Sequence, residues 1–383
     1  MGTRSLLLLS LMLGACAVAP PAPQADLFLA DRLFAAPSEP VDAGKVFAVS
    51  QDMRRYLATS MGELSAFKGH QQALVDALRS KGQLKLEYDA AFTRNAAETF
   101  EARTGNCLSL VIMTAAFAKE LGIHVRYQTV HTEETWSRSG DLYFSIGHVN
   151  LTLGRTPPPY GARVDDGEQL TIDFLPPPRQ RGTRWRVIEE KTILAMYMNN
   201  RAAELLAGGR IDDAYWFARA SVLQDPDFMT SYNTLGVVFQ RHGNLDEAAR
   251  VLAYALEREP RNTIVMANLA HVYASQGRLA QAQALERRLA ELEPDPPFAY
   301  FNRGLAAMRA GDYRAARDLF AREVDRDPNY HEFHFWLALA LANLGDEERA
   351  RRHLALAMES STTRKDHDLY AAKLDRIRSA RRH

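Results

Sequence analysis

The chain has 383 residues, 46% of them hydrophobic and 25% charged, which is the balance of a soluble globular protein too long for a single core. Lys+Arg and Asp+Glu are equal at 47 each, and the sequence pI is near 7.2. A chain so balanced has no strong field to draw nucleic acid or an acidic membrane surface, so those partner classes are set aside.

The first 16 residues read as a signal peptide rather than as part of a fold. Arg4 supplies a positive start, Leu6 to Met12 a short apolar run, and Leu13-Gly14-Ala15 a small-residue approach to Cys16. The run is too short to span a bilayer as a permanent helix. Leu-Gly-Ala-Cys resembles a bacterial lipobox, and that resemblance implies that Cys16 is lipidated and becomes the new N-terminus. The other reading is an ordinary secretory signal cleaved after a small residue. Ala17 to Pro23, rich in Ala and Pro, suits a tether. The lipoprotein reading implies a lipid anchor in the bacterial cell envelope. With Ala17 rather than Asp after the Cys, the expected address is the outer membrane, facing the periplasm.

Residues 17–92 are read as this tether and an N-terminal extension of the unit that follows. Ala43 to Ser60 and Gln71 to Gly82 have helical periodicity, and Leu84 to Tyr88 alternates like a short strand.

Residues 93–194 mix helix and strand. Asn95-Ala96-Ala97-Glu98 reads as a capping box opening a short helix. Gly105-Asn106 interrupts it, and Leu108 to Leu121 forms a longer, largely apolar helix expected to be buried. Strands are expected at His124 to Val130, Gly147 to Leu153 and Leu170 to Phe174, the last stopped by Pro176-Pro177-Pro178. In the second strand, alternation places His148, Asn150 and Thr152 on one side. Val149, Leu151 and Leu153 take the other, so the imidazole need not be buried with them.

From residue 195 to 383 the sequence repeats. Gly209, Gly243, Gly277, Gly311 and Gly345 are spaced by 34 residues, as are Ala214, Ala248, Ala282, Ala316 and Ala350. Pro226, Pro260, Pro294 and Pro328 keep the same step. Small residues at Gly236 and Ala248 let two helices approach, Phe239 fills the space between neighbours, Gly243 makes a turn, and Pro260 ends a helix. The pattern resembles the tetratricopeptide repeat, an antiparallel helix pair every 34 residues. It gives about five repeats, degraded at the ends, and a final capping helix from 365. Trp216 and Trp336 are packing positions in that register, and His331 and His334 ordinary helix positions. No Gly/Ser-rich linker separates the array from the preceding unit, so rigid packing between them is expected.

Cys107 is the candidate nucleophile. Asn106 is a good N-cap, placing Cys107 at the first helical position, where unpaired N–H groups and the helix dipole favour a thiolate. His148 can take the thiol proton and return it to a leaving amine, and Asp173 can hold the imidazole in the right tautomer. If Cys16 is lipidated, Cys107 has no disulfide partner in an oxidising compartment. There is no paired CxxC, HExxH, calcium loop or glycine-rich phosphate loop, so no metal or cofactor is expected. His124 and His131 flank a strand as surface residues.

Gly-Asn-Cys-Leu-Ser at a helix start, Gly-His-Val-Asn on a strand and Ile-Asp-Phe on the next resemble the Cys-His-Asp motifs of the bacterial transglutaminase-like superfamily. The likeness covers roughly residues 90–180, and Thr93-Arg94-Asn95-Ala96 and Trp136 also resemble lines around that core in members fused to tetratricopeptide repeats. It implies an α+β papain-like domain followed by an all-α solenoid. The implied roles are Cys107 as nucleophile, His148 as base and Asp173 as orienting acid, in acyl transfer to water or to an amine. Trp136 is a candidate oxyanion donor by proximity alone. The array would present a protein or peptide in its groove. In the alternative reading the triad is catalytically silent and the chain is a scaffold for protein–protein interactions.

Overall fold

The computed structural model describes residues 25–60, 62–79, 86–89, 92–139, 142–154, 169–174, 184–361 and 363–380. The signal peptide, Cys16 and the tether through Pro23 lie outside the described residues.

The N-terminal part mixes helices with a small sheet. Helices α1 (Gln51–Ser60) and α2 (Gly62–Arg79) come first, then β1 (Glu87–Tyr88), α3 (Ala96–Ala102), β2 (Thr104–Gly105) and α4 (Cys107–Glu120). Four strands follow: β3 (His124–Ser139), β4 (Leu142–Gly154), β5 (Leu170–Ile172) and β6 (Arg184–Ile188). They form one antiparallel sheet in the order β5-β4-β3-β6. The capping box at α3 is present, with Asn95 and Glu98 each accepting from the other's backbone N–H. Helix α4 is buried over Cys107 to Ala118, as its apolar composition requires.

Several boundaries differ from the sequence pattern. Residues 43–45 form only a short 3-10 turn, with the Asp42 side chain accepting from Gly44 N–H at 2.9 Å. The helix expected from Ala43 starts at Gln51, and its successor starts at Gly62 rather than Gln71. Strand β3 runs on to Ser139 through an irregularity between Val130 and Thr135, so His131 lies within it rather than beyond its end. Strand β6 was not legible: Trp185 and Val187 are exposed, so this edge strand has no apolar row facing the core until Ile188. Strand β5 stops at Ile172, placing Asp173 one residue beyond it.

Five helix pairs follow. They are α5 (Glu190–Ala207) with α6 (Ile211–Gln224), α7 (Met229–His242) with α8 (Leu245–Arg258), and α9 (Thr263–Ser275) with α10 (Leu279–Leu292). Then come α11 (Ala299–Arg309) with α12 (Tyr313–Arg326), α13 (His331–Asn343) with α14 (Glu347–Glu359), and a last helix, α15 (Arg364–Ala380). The 34-residue glycine step has a backbone cause: each turn between paired helices is left-handed, as at Gly243 with φ 92°. Gly236 answers a different need, since a Cβ there would lie 2.5 Å from Leu252 of the partner helix.

Residues 25–39 were read as part of an extension toward the following α+β unit, yet they strap across the first two helix pairs. Phe34 stacks on Tyr215 with ring centroids 3.9 Å apart, and Phe28 meets Tyr232 edge-on at 5.6 Å. Trp216 Nε1 donates to Ala35 O at 2.6 Å, and Asp213 accepts from Ser38 N–H at 2.7 Å. One apolar core accordingly runs from Ala25 through the sheet and α4 to Val272.

A second core begins at Phe298. The division falls at Pro294-Asp295-Pro296-Pro297. The adjacent prolines delay α11 to Ala299, five residues past Pro294, where other copies start three past their proline. Only Ala282 of α10 is buried. The late helix start is capped from α12: Glu323 accepts from Phe301 N–H at 3.1 Å, and Arg326 donates to Asp295 and Pro296 carbonyls at 3.0 and 3.1 Å. No helix among the described residues is long and apolar enough to cross a membrane.

Candidate active site

Cys107 opens α4 because Asn106 ends the extended segment before it. Asn106 has φ −73° and ψ 174°, and its Oδ1 accepts from Ser109 N–H and Ser109 Oγ–H, both at 2.9 Å. The approach is tight: a Cβ at Gly105 would lie 2.8 Å from Ser109 Cβ. The amide of Asn106 also donates to Thr93 Oγ1 at 2.9 Å, and Thr93 N–H donates to Glu204 of α5 at 2.7 Å. The cap of the cysteine helix is thus tied to the first helix of the array.

The structure brings Cys107, His148 and Asp173 together. His148 Nε2 lies 2.8 and 2.9 Å from the two carboxylate oxygens of Asp173, and the Cys107 side chain is an electrostatic neighbour of the imidazole. With Nε2 taken by the carboxylate, Nδ1 is the ring nitrogen left for the thiol. Burial pulls the His148 pKa down, but hydrogen bonds and charge from Asp173 and Cys107 outweigh it and hold the imidazole up at about 9. Asn150 Nδ2 donates to Asp173 at 3.2 Å and steadies the carboxylate. Asp173 needs that support because it follows the last residue of β5.

The sheet is buried on both rows of β4. His148, Asn150 and Thr152 are buried, as are Val149 and Leu151 on the opposite row. Much of this polar row is hydrogen-bonded: Thr152 Oγ1 meets Gln128 Nε2 at 3.2 Å and Thr171 Oγ1 at 3.0 Å, while Asn150 Oδ1 is buried without a partner. Cys107 itself is 7% exposed and unpaired.

Two neighbours went unread in the sequence as site residues. Asn150 was visible by period-two alternation from His148, without a role. Tyr88 was seen only as part of a short alternating run. In the fold, β1 lies parallel to β2 with Tyr88 opposite Gly105, and Asp89 N–H donates to Gly105 O at 3.1 Å. The Tyr88 phenol and the Cys107 side chain are electrostatic neighbours. Burial, then the charge of Cys107, pushes the phenol pKa up.

Of the remaining sequence candidates, the Trp136 backbone pairs with Ser145 in the β3–β4 ladder. His331 Nδ1 lies 2.7 Å from Tyr370 Oη in the array. His334 is more than an ordinary helix position: it is buried, with Nδ1 3.0 Å from Nδ1 of His353 and Nε2 2.9 Å from Pro328 O. Among the described residues no three His, Cys, Asp or Glu side chains converge to hold a metal ion.

Comparison with known proteins bears on the array. Two tetratricopeptide repeat family models match residues 240–301 and 301–362. A curated relative, the TPR repeat-containing thioredoxin TTL4 of Arabidopsis thaliana, is 30% identical over 118 residues, covering 30% of this chain. The match spans only 17% of that relative's length. Similar solved structures include YrrB, described as a TPR protein with an unusual peptide-binding site (22% identity, 47% of this chain, 92% of that chain, TM-score 0.26). Another is MamA AMB-1 (24% identity, 44% of this chain, 91% of that chain, TM-score 0.25). The C-terminal part is therefore an all-α array of tetratricopeptide repeats.

Proposed function

We propose that the chain is a transglutaminase-like cysteine acyl-transfer protein whose repeats hold a protein or peptide partner. The observation that carries this reading is the contact series Cys107–His148–Asp173, with the carboxylate 2.8 Å from His148 Nε2. His148 Nδ1 takes the thiol proton, and Asp173 and Asn150 stabilise the resulting imidazolium. The Cys107 sulfur attacks an amide carbonyl carbon; the S–C bond forms as the π pair moves to oxygen. Collapse breaks the C–N bond, and His148 delivers its proton to the leaving amine. Water or a second amine then attacks the thioester, His148 accepts its proton, and the thiol is released. The papain-like description of the N-terminal unit belongs to this proposal, as do the division into signal (1–16), extension (17–92), catalytic (93–194) and repeat (195–383) segments.

The repeats support a protein or peptide partner, since stacked helix pairs offer an extended groove. YrrB, with its described peptide-binding site, is in keeping with that reading. Lipid anchoring through Cys16 in the bacterial outer membrane, facing the periplasm, is proposed from the sequence alone.

The test is covalent capture. An activated acyl donor such as p-nitrophenyl acetate is expected to leave one acyl group on Cys107, seen by intact mass. Cys107→Ser and His148→Ala are expected to abolish or strongly slow it. The second reading, a silent scaffold, draws on the burial of Cys107 at 7% exposure. It is favoured if wild type and His148→Ala acylate at the same slow rate.

A further inference from the structure

We propose that the cleft between the end of the N-terminal strap, the segment leading into α3 and the first repeat helix binds a carboxylate. Arg94 and Lys45 hold it, and it belongs to a peptide end or to an acidic side chain. Cys107 does not line this cleft, and the site stands whether or not that thiol reacts.

The cleft has a volume of about 390 Å³, toward the small end of the range for ligand sites. Separate stretches of the chain wall it: residues 39–46, residues 92–98, and α5 with Phe217 of α6. The backbone beside it is fixed before any ligand arrives. Arg94 N–H donates to Ser109 Oγ of the cysteine helix at 2.9 Å. Thr93 Oγ1 accepts from Asn106 at 2.9 Å and from Asn200 of α5 at 3.3 Å. A site held in place from two sides loses little freedom on binding.

The charges lining the cleft leave two cations over. Glu39 meets Arg201 at 3.4 Å and Arg210 at 3.1 Å, and Arg201 also meets Glu204 at 3.1 Å. Glu98 accepts Asn95 N–H at 3.0 Å in the α3 cap, and Asp42 accepts Gly44 N–H at 2.9 Å. Among the described residues, the side chains of Arg94 and Lys45 have neither an ion-pair nor a hydrogen-bond partner. The Arg94 guanidinium lies 5.9 Å from the Phe92 ring centroid, and its Nη1 is buried unpartnered. A guanidinium stripped of water along one edge, with no counter-charge, is unfavourable. A carboxylate on its open edge supplies that charge in the two-pronged geometry suited to Arg. Tyr197 adds a polar group: it lines the cleft, is 8% exposed, and its hydroxyl has no hydrogen-bond partner among the described residues. Phe92 is exposed and gives apolar surface to whatever carries the carboxylate. Glu39, Asp42 and Glu98 repel a second negative charge, which favours a carboxylate over a phosphate.

The experiment titrates the full chain by calorimetry with related probes. N-acetyl-phenylalanine has a terminal carboxylate, N-acetyl-glutamyl-phenylalaninamide has only a side-chain carboxylate, and N-acetyl-phenylalaninamide has neither. At least one acid is expected to bind about tenfold or more tightly than the amide, as one charge-assisted pair provides. The tighter acid identifies the source. Arg94→Gln is expected to bring that acid to within about twofold of the amide. Lys45→Ala changes an exposed side chain, so the fold is expected to persist while the acid weakens about two- to fivefold. Acids that bind no better than the amide, or do not bind up to about 10 mM, overturn the site. A full acid preference kept in both variants overturns its assignment to Arg94 and Lys45. Inorganic phosphate binding more tightly than either acid overturns the carboxylate class. Iodoacetamide labelling of Cys107, which these titrations do not involve, separates failure of this site from failure of the acyl-transfer reading.

Discussion

Thr93 N–H donates to the Glu204 carboxylate at 2.7 Å, joining two residues 111 positions apart in the chain. Thr93 precedes the cysteine helix and holds its N-cap through Asn106; Glu204 belongs to the first helix of the repeats. Tyr127 adds a second link, donating to Glu190 at 2.8 Å. The thiol site and the array therefore share a polar seam as well as an apolar core.

The seam makes Glu204 informative. Burial raises its pKa, although Thr93 and Arg201 lower it. Glu204→Gln keeps an acceptor for Thr93 N–H and is expected to cost under about 1 kcal/mol in chemical denaturation. Glu204→Ala leaves the N–H unmet and is expected to cost about 1.5–3 kcal/mol. A loss of equal size in both variants would show that the hydrogen bond contributes nothing specific.

The N-terminal strap is expected to stabilise the array. Phe34 is 8% exposed between Tyr215, Phe239 and His242. Phe34→Ala is expected to cost about 3–5 kcal/mol in urea unfolding, as for other buried aromatics. A cost below about 1 kcal/mol would mean that the strap rests on the repeats without anchoring them.

Helix contact in the fourth pair depends on a missing side chain. A Cβ at Gly304 would lie 2.6 Å from Phe320 Cε1, and Phe320 is fully buried. Gly304→Ala is expected to destabilise by about 1–3 kcal/mol through overpacking. Pairing it with Phe320→Leu is expected to recover part of the loss, which a double-mutant cycle measures.

The pH dependence follows from His148. Its folded-state pKa of about 9 lies above the ordinary 6.5, so the folded protein binds this proton more tightly than the unfolded chain does. That stabilisation is fully present below 6.5 and is lost as pH rises through about 9. Asp173→Asn removes the carboxylate that sustains it. The stability gap between wild type and Asp173→Asn is expected to be widest near about pH 6 and to shrink by about pH 10, by urea denaturation at each pH. A gap that widens with pH would contradict the assignment.

Much of this architecture was legible in the sequence, for identifiable reasons. The 34-residue step was plain because each copy needs a left-handed turn at the same place, and little but glycine serves there. The cap at Asn106 was legible because capping is local chemistry. The meeting of Cys107 with His148 and Asp173 followed from motif order. What stayed hidden was nonlocal. Phe28 and Phe34 look like any loop aromatics until Tyr215 and Tyr232 arrive from about 200 residues away. Tyr88 lies beside Gly105 only because β1 pairs with β2, a contact that no periodicity announces. Edge strand β6 carries its exposed Trp185 and Val187 without an inward apolar row.

The central claim is that His148 activates Cys107, and a pH series of iodoacetamide labelling tests it most directly. Wild-type and His148→Ala proteins are labelled from about pH 5 to about pH 10 and the adduct on Cys107 is followed by mass. The account expects rapid labelling of wild type near about pH 6 that collapses in His148→Ala. Slow labelling, unchanged by the substitution, would contradict it and leave the chain a scaffold built on its repeats.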